Sequence, residues 1–453
     1  MEEGGDCKAH VLVLPQYGQG HINPMLQFSK RLASKGIKVT VATFVSTTKT
    51  MKAGSSMITL YPIYDDVTEG SMDGSGGFKA FLDKFQTIAS KNLSDFIKTS
   101  KHKINCLVHF ANMHWAIDIA IDLGIPRAAF FTQSCAAISS YLKLNEELLS
   151  SDQSSADPEL PAALRVPTLP SMGSESGRFP AILQYILGQF SDMEKADWVL
   201  FNSFHELEDE AVKELSKIYS VKTIGPTLPS MYLDKRLEDD IDYGFNLFKP
   251  DKDICLNWLN TKETRPSVVY VSFGSVAVLN AEQMEELAWG LKQINTSFLW
   301  VVRASEKEKL PTNFIEETSE KGLVITWCPQ LEVLSHEAVG CFMTHCGWNS
   351  TLESVSLGVP MLAMPQFLDQ FSDAKFVEEV WGVGLWLKVD TEKCIVTREE
   401  IQVCINAVLK GEKKEVIKKN VKKWKELAKK AVDEGGSSDK NIEEFIAQIV
   451  ANY

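Results

Sequence analysis

The chain has 453 residues, 44% of them hydrophobic and 24% charged, with a formal net charge of -13. That length exceeds one ordinary core and calls for two domains, and the composition is that of a globular protein. The negative balance argues against a nucleic-acid or anionic-membrane partner, and the polar start Met1–Ala9 shows no signal-peptide core or spanning helix.

In chain order, the first half alternates strand-like and helical patterns. His10–Leu14, Ile37–Phe44, Ile104–Phe110 and Arg127–Phe131 read as strands. Helical spacing covers Lys84–Thr99 and Trp115–Leu123, the second closed by Gly124. Such alternation predicts a parallel sheet covered on both faces. Ser150–Arg178 is rich in Ser, Pro and Gly and reads as a long loop. Trp198–Asn202 and Val221–Ile224 resume the strand pattern. The sequence is then Pro-punctuated and highly charged from Gly225 to Pro250, and the domain boundary is placed there. The second half restarts the alternation, with strands at Ser267–Ser272, Phe298–Arg303, Leu323–Thr326, Cys341–Thr344 and Met361–Met364, and a helix at Ala281–Lys292. Lys413–Lys430 sets apolar residues at helical spacing among lysines, a solvated amphipathic helix or, less simply, a membrane-binding face. The nine cysteines, odd in number and scattered through apolar stretches, suit reduced thiols and a cytoplasmic location.

Val13–Gly36 reads VLPQYGQGHINPMLQFSKRLASKG. Gly18, Gly20 and Asn23 stand where the three glycines of a dinucleotide loop would be. Asn23 reads as an N-cap, Pro24 as the first helical residue and Gly36 as the helix stop. His21 then lies about one turn before a helix N-terminus, on the carboxyl edge of an open α/β sheet, where ligands bind. A dinucleotide site expects an acidic residue about 20 positions on; none occurs between Asp6 and Asp65. The N–H groups at a helix start disfavour imidazolium, so His21 reads as a neutral general base or as a histidine that bonds local backbone.

Trp327–Gln370 reads WCPQLEVLSHEAVGCFMTHCGWNSTLESVSLGVPMLAMPQFLDQ. Gly340–Thr344 is a strand, His345–Gly347 a tight turn, and Asn349–Leu357 a helix ended by Gly358. Gly347, Asn349 and Ser350 put N–H groups and hydroxyls at a helix start beside a strand end, an arrangement suited to phosphate. Ser350 and Glu353 also fit a capping box. Cys341, His345 and Cys346 lack the paired spacing of a zinc site, so packing is expected and no metal. Asp240 and Asp242 form a D-x-D pair in the charged linker, where a solvated surface is expected.

The Trp327–Gln370 block resembles, along its full length and without a gap, the signature box of plant family 1 UDP-dependent glycosyltransferases. GQGHINP (Gly18–Pro24) is similar to that family's N-terminal motif, and VSFGS (Val271–Ser275) to its second-domain glycine turn. The resemblance implies an α/β protein of GT-B fold, with two Rossmann-like domains facing each other across a cleft. Residues 1–225 would bind the acceptor, 226–252 form a linker, 253–435 bind the UDP-sugar, and 436–453 form a C-terminal helix that crosses back to the first domain. It implies UDP-glucose as donor, no metal, and inverting transfer to a small-molecule acceptor; the chain is expected to be a monomer. His21 would take the acceptor proton. Trp327 would stack on uracil, and Gln330 and Glu353 hold the ribose. Ser275, His345, Asn349 and Ser350 would bind the diphosphate. Trp348, Asp369 and Gln370 would bind sugar hydroxyls, assisted by Thr132, and Cys328 and Gly20 complete the donor site. Gln370 resembles the glucose users of the family.

The sequence departs from the family at one place. An aspartate just after the third strand usually partners the histidine; here His109–Trp115 reads HFANMHW, and Phe110 takes that position. Three alternatives follow: Asn112, His109 or His114 orients His21, the site relies on a well-held acceptor, or the protein binds donor without turnover. Tyr17, His109, Phe110, Asn112, Met113 and Phe131, with the loop around Met172, suggest an apolar acceptor pocket. The expected acceptor is a steroid or triterpenoid alcohol, with phenolic or other small carboxylic acids as the alternative.

Overall fold

The computed structural model describes residues 7–64, 77–150, 178–262 and 266–451. The expectations for 1–6, for 151–177 and for Met172 lie outside the described residues. The chain forms two compact α/β units. The first runs to Glu146, continues from 178 to Leu247 and resumes at Lys430; the second includes Phe248–Lys429.

The first unit carries a seven-stranded parallel sheet of β1 (Ala9–Leu14), β2 (Ile37–Phe44), β3 (Ile58–Tyr64), β4 (Cys106–Phe110), β5 (Arg127–Phe131), β6 (Trp198–Phe201) and β7 (Val221–Thr223), in the order β3-β2-β1-β4-β5-β6-β7. The second carries a six-stranded parallel sheet of β8 (Val268–Ser272), β9 (Ser297–Val301), β10 (Gly322–Ile325), β11 (Val339–Thr344), β12 (Met361–Ala363) and β13 (Gly384–Trp386), in the order β10-β9-β8-β11-β12-β13. Each chain segment winds outward from its first strand, then returns to start again on that strand's other side. This is the Rossmann-like order, and its ligand crevice lies where the direction reverses. Central strands are apolar on both faces, as helix-covered sheets require: Val11, Leu12 and Val13 are fully buried. β3 and β13 are absent from the sequence reading. β3 contains Pro62 and exposes Thr59 and Pro62, both tolerated because it is an edge strand.

The helix after β1, α1 (Gln19–Ser34), starts at Gln19 and not at Pro24. Gly18 is its N-cap at φ 120°, a left-handed conformation that glycine adopts without a Cβ penalty. The Gly18 carbonyl accepts from the N–H groups of His21 and Ile22, at 3.0 Å each. Asn23 therefore caps nothing and is buried within the helix, and Pro24 is interior. His21 sits in the first turn of α1. Gly36, at φ 84°, follows the helix in the left-handed region as expected.

The residues expected to form a linker belong to the first unit as far as Leu247. Asp240 is 5% exposed; its carboxylate meets Lys30 Nζ at 2.6 Å and accepts from Gln27 Nε2 at 3.2 Å. Arg31 grips Asp234 through both guanidinium nitrogens, at 2.5 and 2.8 Å. The solvated reading of the D-x-D pair thus fails for Asp240, because a lysine of α1 compensates its burial. The helix Ser437–Ala451 also packs in the first unit, with Phe445 against Phe28 and Trp198 at ring separations of 5.9 and 5.1 Å. In the second unit the Lys413–Val432 helix buries Ile417, Val421 and Trp424 and exposes its lysines. All nine cysteines are free, and no described helix is long and apolar enough to cross a membrane.

His10 and His109 are buried in the first sheet, and burial lowers both pKa values to about 4. The unfolded chain, with histidines near 6.5, binds protons in that interval that the folded chain does not. Stability should therefore be complete above pH 6.5 and fall as pH drops toward 4, by about 3 kcal/mol for each ring at full effect. Urea midpoints across that range should fall less steeply for His109→Gln than for the wild type.

Candidate functional site

In the first unit, β1 runs into Tyr17–His21 and β4 into the stretch after Phe110, so both meet at the reversal point. His21 Nδ1 lies 2.9 Å from Thr132 Oγ1, one residue past the end of β5. The Phe110 ring is 4.4 Å from the imidazole and tilted by 50°. Burial lowers the His21 pKa to about 4, so the ring is neutral at physiological pH. With Nδ1–H donating to Thr132, Nε2 keeps the lone pair that a base needs.

The three residues expected to orient His21 are engaged elsewhere. Asn112 Nδ2 donates to the Tyr185 carbonyl at 2.8 Å. His109 Nδ1 is 3.0 Å from the Phe110 carbonyl oxygen, and His114 is 3.5 Å from Asp192. Thr132 fills the orienting place, with its Oγ1 against His21 Nδ1. Side chains alternate across a strand, which splits the expected acceptor pocket. Phe110 is on the α1 face, whereas His109 and Phe131 fall on the other; Phe131 stacks on Phe201 at 4.8 Å and is 1% exposed. His109 and Phe131 thus lie on the face away from α1, and Met113 is 2% exposed. Tyr17 stays half-buried, edge-on to Phe44 at 5.0 Å. Gly20 is exposed in the first turn of α1.

Thr132 is placed by a residue absent from the sequence reading. The helix Cys135–Ser150 begins on buried Glu208, whose carboxylate accepts from the N–H groups of Cys135 (3.1 Å) and Ala136 (3.0 Å) and from Ser203 Oγ (2.6 Å). A carboxylate at a helix start complements the helix dipole, and this one pins the chain three residues after Thr132. Its signal in sequence was weak, because the acid lies far along the chain from the helix it caps.

In the second unit, β8 leads into Gly274 and β11 into His345, again at the reversal point. The His345 ring is closely flanked by Gly274 and Gly347: a Cβ at either would lie 2.8 or 2.5 Å from Nε2. Cys346 between them is held at φ 61°, and Leu368 in the neighbouring loop at φ 56°. Backbone strain of this kind concentrates at ligand sites. Burial, with Arg303 nearby, lowers the His345 pKa to about 4, which makes it a neutral hydrogen-bonding group. Arg303, the last residue of the expected strand Phe298–Arg303, donates to the carbonyl oxygens of Ser275 and Ala277 and braces the glycine turn. Cys341 and Cys346 are fully buried, and burial pushes both thiols up. Among the described residues no cluster of three or more His, Cys, Asp or Glu is placed to hold a metal ion.

The helix Trp348–Leu357 is capped by Gly347 with no side-chain bond, so the capping box expected of Ser350 and Glu353 does not form. Glu353 accepts from Gln330 Nε2 at 2.6 Å, and the same nitrogen is 3.0 Å from Ser350 Oγ. Trp327 is half-buried, edge-on to Phe248 at 4.9 Å. The Trp348 indole is turned into the core beside Trp381, 3% exposed, so what it leaves at the helix start is its backbone. Asp369 and Gln370 begin the helix after Leu368. The Gln370 Oε1 accepts from the N–H groups of Gln366 and Phe367 at 2.9 and 3.2 Å, which leaves its amide nitrogen for a ligand. Ser275 and Asn349 are half-buried, and Cys328 is buried.

The family described as UDP-glucoronosyl and UDP-glucosyl transferase matches residues 249–431. The chain is 46% identical to UDP-glucosyl transferase 74CD1 of Saponaria officinalis, over 98% of this chain and 99% of that protein. It is 45% identical to the flavonol 7-O-beta-glucosyltransferase UGT74F1 of Arabidopsis thaliana, over 98% of each. It belongs to the plant family 1 UDP-dependent glycosyltransferases. The crystal structure of Os79 from O. sativa in complex with UDP superposes with a TM-score of 0.86 at 35% identity, covering 97% of this chain and 100% of that one. The transferase thus has the GT-B class of fold, with two Rossmann-like units, and uses UDP-glucose as donor. A side chain at Gly347 must displace His345. Gly347→Ala should weaken UDP binding, read by calorimetry, by about tenfold or more, roughly the cost of one to two lost hydrogen bonds to a charged group.

Proposed function

We propose that the transferase is an inverting O-glucosyltransferase in which His21 is the general base and the acceptor is an apolar alcohol of steroid or triterpenoid type. The observation that carries the reading is the neutral His21 imidazole at the first reversal point, with Nδ1 held by Thr132. Its Nε2 takes the acceptor hydroxyl proton while the oxygen bonds to the anomeric carbon and the bond from that carbon to the diphosphate breaks. Attack opposite the leaving group turns α to β. The phenyl ring of Phe110 and the half-buried Tyr17 give the acceptor an apolar wall. The names of the relatives span a flavonol and a mogroside, so the acceptor class rests on this wall.

In the second unit, Trp327 would stack on uracil, and Gln330 and Glu353 would hold the ribose. Ser275, His345, Asn349, Ser350 and the helix start at Trp348 would offset charge on the departing diphosphate. Asp369 and the Gln370 amide would take sugar hydroxyls. UDP-glucose fits this donor set: an indole face, a carboxylate–amide pair suited to a diol, and N–H groups at a helix start.

A second reading has one observation in its favour. Thr132 is a hydroxyl and cannot neutralise an imidazolium as a carboxylate does. A carboxylic acid is already ionised at neutral pH and asks for no proton removal, and its product would be a glucose ester.

His21→Ala should lower kcat/KM for a steroid or triterpenoid alcohol by about 10²- to 10⁴-fold and leave UDP affinity unchanged. Because the ring is neutral above its pKa, the acid limb of wild-type kcat/KM should lie nearer 4 than 6.5. Near-wild-type activity in His21→Ala would remove His21 from the mechanism. An acceptor panel with mass detection decides the class: exclusive conversion of small phenolic acids establishes the ester reading.

A further inference from the structure

The phenol of Tyr270 is a polar group among the valines of its strand. Tyr270 lies in β8, is 1% exposed and stacks on Phe342 at 4.7 Å with the planes 18° apart. Its hydroxyl donates to Gln330 Oε1 at 2.9 Å and is 3.1 Å from Cys328 Sγ. Burial pushes the phenol well above its ordinary range and the Cys328 thiol upward as well, so both keep their protons. A phenol that gives its proton to Gln330 has only its oxygen left for Cys328, so the order is fixed. The thiol donates to the phenol, the phenol donates to the Gln330 oxygen, and the Gln330 nitrogen donates to Glu353 and Ser350.

An amide can present either end to a ligand, and without a partner the two orientations differ little in energy. Here the oxygen end accepts from Tyr270 and the nitrogen end donates to the Glu353 carboxylate, so the two partners together set the amide. We propose that Tyr270 is a positioning residue for the donor: it holds the Gln330 amide with nitrogen toward Glu353, so that the pair reads the vicinal hydroxyls of the nucleotide's ribose. The proposal rests on the reading that Gln330 and Glu353 take the ribose. Tyr270 reaches no ligand itself and acts only through Gln330. A mere packing role would ask for the ring and not for the hydroxyl.

The test is discrimination between UDP-glucose and its 2′-deoxyribose analogue, dUDP-glucose, by the ratio of their kcat/KM values. Wild type should favour the ribose donor by about tenfold or more, as expected when a buried polar pair loses its partner hydroxyl. Tyr270→Phe keeps the ring and its stack on Phe342. It should raise KM for UDP-glucose about fivefold, the worth of one neutral hydrogen bond, leave KM for dUDP-glucose nearly unmoved, and hold kcat at saturating donor within about twofold. Phe342→Leu, which disturbs the stack and keeps the hydroxyl, should retain the wild-type ratio. A Tyr270→Phe enzyme with wild-type discrimination would overturn the assignment. So would insolubility, a collapsed kcat, or equal loss of discrimination in Phe342→Leu, since each marks the hydroxyl as structural. If wild type itself fails to distinguish the two donors, the ribose reading of Gln330 and Glu353 is what fails.

Discussion

In each unit the strand order reverses beside the first strand, so the connections on its two sides run to opposite faces of the sheet. The carboxyl edge between them stays open to ligand. In the first unit that edge lies between β1 and β4 and presents His21 and Phe110; in the second it lies between β8 and β11 and presents Gly274 and His345. His21, Phe110, Gly274 and His345 reach their places because the buried strands β1, β4, β8 and β11 end where they do. The apolar packing that fixes those strands is thus what aims the polar groups.

Polar groups held this close to a core need partners, and the partners come from distant parts of the chain. Glu208 satisfies the start of the helix after Thr132, Arg303 satisfies the carbonyl oxygens of the glycine turn, and Tyr270 satisfies Gln330. The left-handed backbone at Cys346 and Leu368 belongs to the same economy of space, in which main-chain N–H groups are aimed by loops with no room to relax.

The His21 environment is unusually poor in charge. A phenyl ring lies at 4.4 Å and a hydroxyl holds Nδ1. Thr132 holds Nδ1 in place, but its hydroxyl can accept or donate there, and it adds no counter-charge to an imidazolium. In the proposed role of base, His21 is thus held at Nδ1 without a counter-charge beside it.

Much of the fold was legible because its causes are local. Apolar runs marked most of the strands, and Gly36 and Gly358 marked helix ends. The Trp327–Gln370 block disclosed its turn, its helix start and the family resemblance from adjacent residues. The start of α1 differs from the expected one because Asn23–Pro24 has good capping chemistry, yet Gly18 takes φ 120° six residues before Pro24. What the linear chain could not show were pairings made by folding. Thr132 meets His21 across 111 positions, Asp240 finds Lys30 across 210, and Tyr270 finds Gln330 across 60. Sequence determined the residue types, the periods and the motif. Tertiary structure decided which polar atoms met, because a hydrogen bond needs two groups within about 3 Å and periodicity along the chain carries no such distance.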